Sequence, residues 1–407
     1  MPLEWISEKS IRNSTLNRFG PLMRCNICNT FMGEPIYESR SDQALTSLCE
    51  LRQGSVRVWS CPGCAHLRGE ALLDTGAYYE SEYRISMAQD DEDQIYEVHG
   101  DRVVYRTDHQ VATLLGKLDL PPAARLLDYG CAKASTPKRL LASRGDLKVC
   151  LFDVSEMYMA YWLRFVDPDR CAVHHAPPAW DGYFDVVTSF FALEHIPEPQ
   201  RALQDIAKLL RDDGVFYGVV PDTFGNVADF VVIDHVNHFT VSSLYTLLRT
   251  ANFGDIEIDA EAHRGALVFS ARRRGGVIEA SVDIGATLGR ALQLAGYWEN
   301  LGEHIQKMER SHVGLTAAIY GSGFYGAYIM STLKCPEKVV CFLDASPYQQ
   351  GNELFDRPIL APDQLPDVVR VLYVGLNPSI ARKVIAQLDR LKATGINLVY
   401  LDDISDD

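Results

Sequence analysis

Four cysteines near the N-terminus stand in two short pairs, Cys25-Asn26-Ile27-Cys28 and Cys61-Pro62-Gly63-Cys64, with 32 residues between them. Two residues between thiols let both sulfurs and nearby backbone amides converge on one tetrahedral ion, and Gly63 suits the tight turn. The two knuckles predict a four-thiolate zinc site made by Cys25, Cys28, Cys61 and Cys64. Four thiolates fill the coordination sphere, so the zinc is expected to be structural rather than catalytic. Cys49 and His66 are weaker substitutes. The cysteines at 150 and 341 sit in apolar strand-like runs, which suggests core packing.

A second constellation is Leu126-Leu127-Asp128-Tyr129-Gly130-Cys131-Ala132-Lys133-Ala134-Ser135. It reads as a buried strand that ends in a tight turn and opens into a helix, with Ser135 or Thr136 as cap and Pro137 in the first turn. Val149–Asp153 is the next strand, and a carboxylate at its end can accept both ribose hydroxyls. The pattern predicts a nucleoside-type cofactor held by Asp128, Gly130, Ala132, Asp153 and Phe190. A third is Asp234-His235-Val236-Asn237-His238-Phe239-Thr240, whose imidazoles suit proton transfer near neutrality. A fourth is Gly321-Ser322-Gly323-Phe324-Tyr325-Gly326, a G-x-G-x-x-G run between an apolar strand and a helix. Asp344 ends the strand after it, and the spacing suits a dinucleotide, so NAD has to be weighed.

These residues need a scaffold. At 407 residues the chain is long enough for two or three domains. Strands at 125–128, 149–153, 184–190 and 215–220 alternate with helices, among them an amphipathic one from Gln200 to Arg211 that Asp212-Asp213-Gly214 should stop. The strands 255–259 and 266–271 look like a closing hairpin. The implied class is α/β with a mostly parallel sheet and ligands at the carboxyl ends of its strands. Residues 92–117 carry a helical pattern, and Leu288–Met308 is a long helix leading to the Gly321 turn. Tyr78–Arg84 is a connecting loop or a lid that adds a phenol, Tyr83, to the site.

Asp128-x-Gly130, Asp153, Phe184-Asp185-Val186-Val187, Glu194-His195 and the Asp213-Gly214 turn resemble class I S-adenosylmethionine-dependent methyltransferases. Ala132 and Ala134 stand where that family has glycine. With the knuckles in front and the Gly-Ser-Gly tail behind, nearly the whole chain resembles, in the same order, the sugar C-methyltransferases that act on nucleotide-linked keto-deoxysugars. The resemblance implies a zinc-binding module with an entrance loop over residues 1–90. A methyltransferase Rossmann-like domain follows over 91–275, then a second Rossmann-like, substrate-binding domain over 276–407. It implies S-adenosyl-L-methionine as cofactor and a nucleotide-sugar substrate held in part by Gly321, Ser322, Gly323, Tyr325 and Asp344, without NAD. Aligned on the shared histidine and phenylalanine, His235 matches that family's base and Asp234 its neighbouring carboxylate. Ile233 replaces a histidine there, and His238 replaces a tyrosine. Methylation of carbon beside a ketone needs a base and an enolate, which gives roles to His235, Asp234, His238 and Tyr83. Glu194-His195 is expected to shape the pocket wall, and His174-His175 to lie on the surface. Other readings stay open: methylation of a sugar oxygen, an NAD-dependent oxidoreductase centred on Gly321, or a zinc-stabilised binding protein with a vacant methyltransferase domain.

The totals exclude some classes. The hydrophobic fraction of 47% and charged fraction of 23% are ordinary globular composition. A net charge of −15 disfavours binding nucleic acid through phosphates. No apolar run approaches the roughly 20 residues that span a bilayer. Met1–Arg12 lacks the apolar core of a signal peptide, so a cytoplasmic protein is expected. Oligomeric state stays open.

Overall fold

The computed structural model describes residues 23–85, 92–99, 102–276, 283–388 and 395–403. The Met1–Arg12 reading and the boundary at 90/91 lie outside them. The middle of the chain builds a seven-stranded sheet from β1 (Arg125–Tyr129), β2 (Lys148–Asp153), β3 (Cys171–Val173), β4 (Phe184–Phe190), β5 (Leu210–Pro221), β6 (Phe253–His263) and β7 (Ala266–Arg273). Their order is β3-β2-β1-β4-β5-β7-β6. The ladders among β3, β2, β1, β4 and β5 are parallel, and β7 runs antiparallel to both of its neighbours. Leu126, Leu127, Leu151, Val186 and Val187 are buried, as near-continuous apolar strands covered on both faces should be. This is the class I methyltransferase fold. The order reverses between β1 and β4, which opens a crevice at their carboxyl ends.

Two expectations need correction. Residues 92–117 are not one helix: Ile95–His99 and Arg102–Tyr105 pair antiparallel, and only α1 (Arg106–Lys117) is helical. The valines and tyrosines there pack better on a pleated surface, with Tyr96 stacked 3.8 Å from His109. The helix α2 (Pro199–Leu209) ends before the expected stop, and Asp212-Asp213-Gly214 falls inside β5.

The C-terminal part forms a second, mostly parallel Rossmann-like sheet in the order Glu353–Leu354, Arg357–Leu360, Val339–Leu343, Ala317–Tyr320, Val371–Val374, Asn397–Tyr400. The helix α3 (Ile284–Ser311) precedes it and buries Leu294, Trp298, Leu301 and Ile305.

The cysteine module is wedged between the two. Its sheet orders Tyr37–Glu38, Arg57–Ser60, Leu67–Gly69 and then Asn237–His238, a strand from the middle domain. Asn237 pairs with Arg68 and His238 with Leu67. Cys25, Ile27, Trp59, Cys61 and Cys64 share one core with Leu203, Phe216 and Leu244 of the middle domain. Tyr37, Val58 and Leu67 share another with Trp298, Ile319 and Phe342 of the C-terminal part. No helix among the described residues is long and apolar enough to cross a membrane.

Candidate active site

A cavity of about 840 Å³ lies over the carboxyl ends of β1, β2 and β4, and Asp128, Gly130, Ala132, Asp153, Phe190 and Tyr83 all line it. Its size is that of a pocket for a cofactor-sized ligand with room beside it. Gly130 has φ +74°, and a Cβ there would lie 2.8 Å from the Ala192 methyl, so the turn after β1 admits glycine alone. Ala132 and Ala134 hold left-handed backbone at φ +44° and +58°. They occupy the conformation that glycine adopts without strain.

The turn is tied to β2 by the Ala132 amide, which donates to Asp153 Oδ2 at 2.7 Å, while the Ser155 amide donates to Oδ1 at 3.0 Å. Burial raises the Asp153 pKa, and these amides partly offset it. Asp128 is 2% exposed and accepts the Thr188 hydroxyl at 2.7 Å. Burial pushes its pKa up to about 7 against that hydrogen bond. Asp153 at the carboxyl end of β2, a tight glycine turn and a roomy cavity fit a nucleoside cofactor.

A largely buried imidazole on the cavity wall is His195, which follows β4. Its ring lies 5.4 Å from that of Tyr83 and 5.2 Å from that of Tyr79. Its Nδ1 is 2.8 Å from the Tyr79 hydroxyl and 3.2 Å from the Asp234 carbonyl, to which that hydroxyl donates at 2.8 Å. Every neighbour of Nδ1 is thus used as an acceptor, which places the proton on Nδ1 and the lone pair on Nε2. Burial, reinforced by His235, lowers the His195 pKa to about 4.

His235 crosses His195 edge-on, with ring centroids 4.7 Å apart. Its Nδ1 lies 2.6 Å from Asp229 Oδ1. The second oxygen of Asp229 is 3.1 Å from His238 Nδ1 and accepts the Thr223 hydroxyl at 2.8 Å. Burial alone would lower the His235 pKa, but the Asp229 carboxylate outweighs it and lifts the value to about 9. Burial likewise works against the Asp229 anion, yet His238 and His235 hold its pKa well below the carboxylate range. Beside them Glu194 is 1% exposed, and burial pushes its pKa up to about 8.

Asp234 is therefore not the carboxylate of His235. Its two oxygens accept the Ser47 amide and hydroxyl, each at 2.7 Å. His235, Asp234 and His238 lie outside the lining of the cavity, whereas His195 and the exposed pair His174 and His175 are on it. Sequence reasoning missed Asp229, Tyr79 and Arg106, which also lines the cavity. Asp229 carried a readable signal: it is the lone acid in Val227-Ala228-Asp229-Phe230-Val231, and an acid in an apolar run implies a buried partner.

The four knuckle cysteines form one group that could hold a metal ion. Cys25 and Cys64 sulfurs are 3.6 Å apart and those of Cys28 and Cys61 3.3 Å. Both separations are far beyond a disulfide and near the edge of a thiolate tetrahedron. The Ile27 and Gly63 amides point at the Cys25 and Cys61 sulfurs at 3.4 Å, as zinc knuckles do. Cys49 and His66 are not in the group.

The Gly321 turn is packed shut. A Cβ on Gly321 would lie 2.4 Å from the Gly375 carbonyl, and one on Gly326 would lie 1.9 Å from the Gly321 carbonyl. The Asp344 carboxylate accepts the Ser322 amide and hydroxyl at 2.9 and 2.7 Å and the Ser346 amide at 2.8 Å. Tyr325 reaches back to the middle domain, where the Ala228 amide donates to its hydroxyl at 3.3 Å. Gly321, Ser322, Gly323, Tyr325 and Asp344 line neither this cavity nor a smaller one of about 380 Å³ beside it, to which the C-terminal part contributes Tyr348.

Residues 100–258 match the family model of a methyltransferase domain. No curated protein matches the sequence. Solved structures with similarity to this chain include an S-adenosylmethionine-dependent methyltransferase from Mesorhizobium loti, at 17% identity and a TM-score of 0.33. That alignment covers 40% of this chain and 98% of that one. The cyclase SpnF aligns at 16% identity and a TM-score of 0.36 over 46% of this chain and 87% of its own. The CurJ carbon methyltransferase aligns at 14% and 0.34 over 41% and 55%.

Proposed function

We propose that this S-adenosylmethionine-dependent methyltransferase alkylates carbon, at the position beside the ketone of a nucleotide-linked keto-deoxysugar, with His235 as base. The observation that carries the reading is the His195–His235 pair, in which His195 lines the cofactor cavity and His235 packs edge-on behind it. Each ring has its Nδ1 engaged, which leaves two Nε2 atoms for one substrate. The bound cofactor supplies an electrophilic methyl group on a sulfonium.

The chain's residues prepare the nucleophile. Asp229 makes His235 a stronger base than ordinary imidazole, as a weakly acidic C–H demands. His235 Nε2 takes the proton and the carbonyl oxygen becomes an enolate oxygen. The Tyr83 phenol, in the same cavity, suits hydrogen bonding to that oxygen. The enolate carbon then attacks the methyl group in line, a carbon–carbon bond forms, and the carbon–sulfur bond breaks to leave a thioether. Zinc on Cys25, Cys28, Cys61 and Cys64 keeps the knuckles folded and has no part in these steps.

A second reading is favoured by the place of His195 on the cavity wall. There His195 is the base and His235, as imidazolium, stabilises the enolate oxygen. The two differ in pH dependence: turnover rises toward about pH 9 when free-base His235 is needed and falls through the same range when its cation is needed. The deciding experiment gives the enzyme labelled-methyl cofactor and a panel of nucleotide keto-sugars and reads the product by NMR. A new carbon–carbon methyl supports the reading. An oxygen-linked methyl replaces it with sugar O-methylation, and no transfer to any sugar removes the substrate class.

A further inference from the structure

Arg106 opens α1 and lines the large cavity with Thr107 and Gln110 of the same helix. Its Nε is buried and has no hydrogen-bond partner among the described residues. The guanidinium lies over the Phe191 ring, 5.3 Å from the centroid. Asp93 acts on it only from a distance. That carboxylate is bonded to the Gln94 amide through Oδ1 at 2.7 Å and to the Thr107 amide through Oδ2 at 3.4 Å. Tyr83 and Glu194 act on it in the same direction, and His263 is near enough to feel its charge. Burial lowers the Arg106 pKa, the direction for a cation short of counter-charge.

Phe191, beneath it, is strained. Its φ is +53°, rare for a bulky side chain, and its amide is fixed by donation to the Val219 carbonyl at 2.8 Å. Strain of this kind persists where the surroundings impose it, and it concentrates at ligand sites. Here it sets an aromatic face under a guanidinium at the edge of an 840 Å³ cavity. A guanidinium with its Nε shielded from water favours a charged partner, and a carboxylate or phosphate matches its fork of donors. The first turn of α1 adds the positive end of a helix dipole.

We infer that Arg106, seated on Phe191 at the start of α1, is the receptor for an oxyanion carried by a ligand of this cavity. Two ligands of the proposed reaction carry one: the carboxylate of the methyl donor and the diphosphate of the nucleotide-linked sugar. The second source rests on the substrate reading above, and the first does not.

Calorimetry on the full-length chain separates them. Wild type, Arg106→Gln and Arg106→Lys are titrated with S-adenosylmethionine, decarboxylated S-adenosylmethionine, thymidine diphosphate and uridine diphosphate. If the receptor takes the cofactor carboxylate, Arg106→Gln weakens S-adenosylmethionine by about ten- to a hundredfold, the scale of a charged hydrogen-bond pair. The decarboxylated analogue is then unchanged, and wild type already prefers the intact cofactor by a similar factor. If it takes the diphosphate, the nucleotides lose that factor and both cofactors bind as before. Arg106→Lys, which keeps the charge and loses the fork, should fall between. Equal binding of all four ligands by wild type and Arg106→Gln overturns the inference. Should Arg106→Gln fail to fold, the Lys variant and the wild-type preference carry the same decision. A chain that binds the cofactor but neither nucleotide in any form sinks the substrate reading and leaves the carboxylate arm standing.

Discussion

Asp229 Oδ1 and His235 Nδ1 lie 2.6 Å apart in a buried ion pair, and the other oxygen of the same carboxylate reaches His238. One acid thus orients both histidines of the segment that follows it. The turn that carries Asp229 is itself gripped by the C-terminal part: Trp298 donates to the Val227 carbonyl at 2.9 Å and Tyr325 accepts from the Ala228 amide at 3.3 Å. The second Rossmann-like unit therefore supports the segment that carries His235.

Asp229→Asn should lower the His235 pKa, because the carboxylate is what lifts it to about 9 against burial. With His235 as base, the rising limb of kcat/KM against pH should move to lower pH and the plateau rate should drop by about 10²-fold or more. Breaking a buried pair should also cost about 3–5 kcal/mol of stability. Paired pH–rate and thermal unfolding measurements check both effects, and an unmoved limb would remove Asp229 from the reaction.

Chelation of the knuckle metal should abolish turnover while S-adenosylmethionine binding survives in part. Asn237–His238 is the edge strand of the knuckle sheet, and Asn26 donates to the Asn237 side chain at 2.7 Å. Thr240 and Ser242 also donate to the Ala65 and Cys64 carbonyls at 3.4 and 3.0 Å. Loss of the knuckles should release the His235 segment, whereas Asp128, Gly130 and Asp153 hang on the parallel sheet. Metal analysis with calorimetry and activity before and after chelation checks this, and full activity at zero metal would refute it.

Ala132→Gly should stabilise the cofactor turn. The alanine holds φ +44°, a conformation that costs an L-residue about 1–2 kcal/mol, offset in part by the greater freedom of glycine when unfolded. A net gain of about 0.5–1 kcal/mol is expected, with cofactor affinity equal or tighter. Thermal unfolding and calorimetry read both, and a clear loss of stability would show that the turn is not strained.

Stability of the cofactor-free protein should fall as pH rises from about 6.5 to 8. Burial raises Asp128 to about 7 and Glu194 to about 8, so the native state holds protons there that the unfolded chain has released. Stability from a raised pKa is complete below the unfolded value and lost as pH climbs through the folded one. The lowered His66, His195 and His263 oppose the trend near pH 6.5, where the unfolded chain still half-protonates them, and fade by about pH 7.5, whereas His235, lifted to about 9, adds to it. Each acid contributes a slope of up to about 1.4 kcal/mol per pH unit. Asp128→Asn should flatten the curve; an unchanged slope would mean that Asp128 keeps its ordinary pKa in the folded protein.

Short-range chemistry was legible in the residues alone. The two cysteine pairs, the strand–turn–helix at Asp128–Ser135, and Asp153 at the end of the next strand depend on neighbours within one element, where spacing and residue type suffice. The α/β class followed from alternating strands and helices for the same reason. Tertiary structure decided which groups meet. Asp234 and Asp229 are both close to His235 in sequence, yet the chain path turns Asp234 to Ser47, 187 residues away, and leaves Asp229 to the imidazole. Gly321 and Asp344 match a dinucleotide fingerprint by spacing, but their glycines serve backbone packing and their acid serves Ser322 and Ser346. The cysteine module reads as separate until the Asn237–His238 strand joins its sheet. A residue's type and spacing state what it can do, but its partner depends on distances that only the packed fold sets.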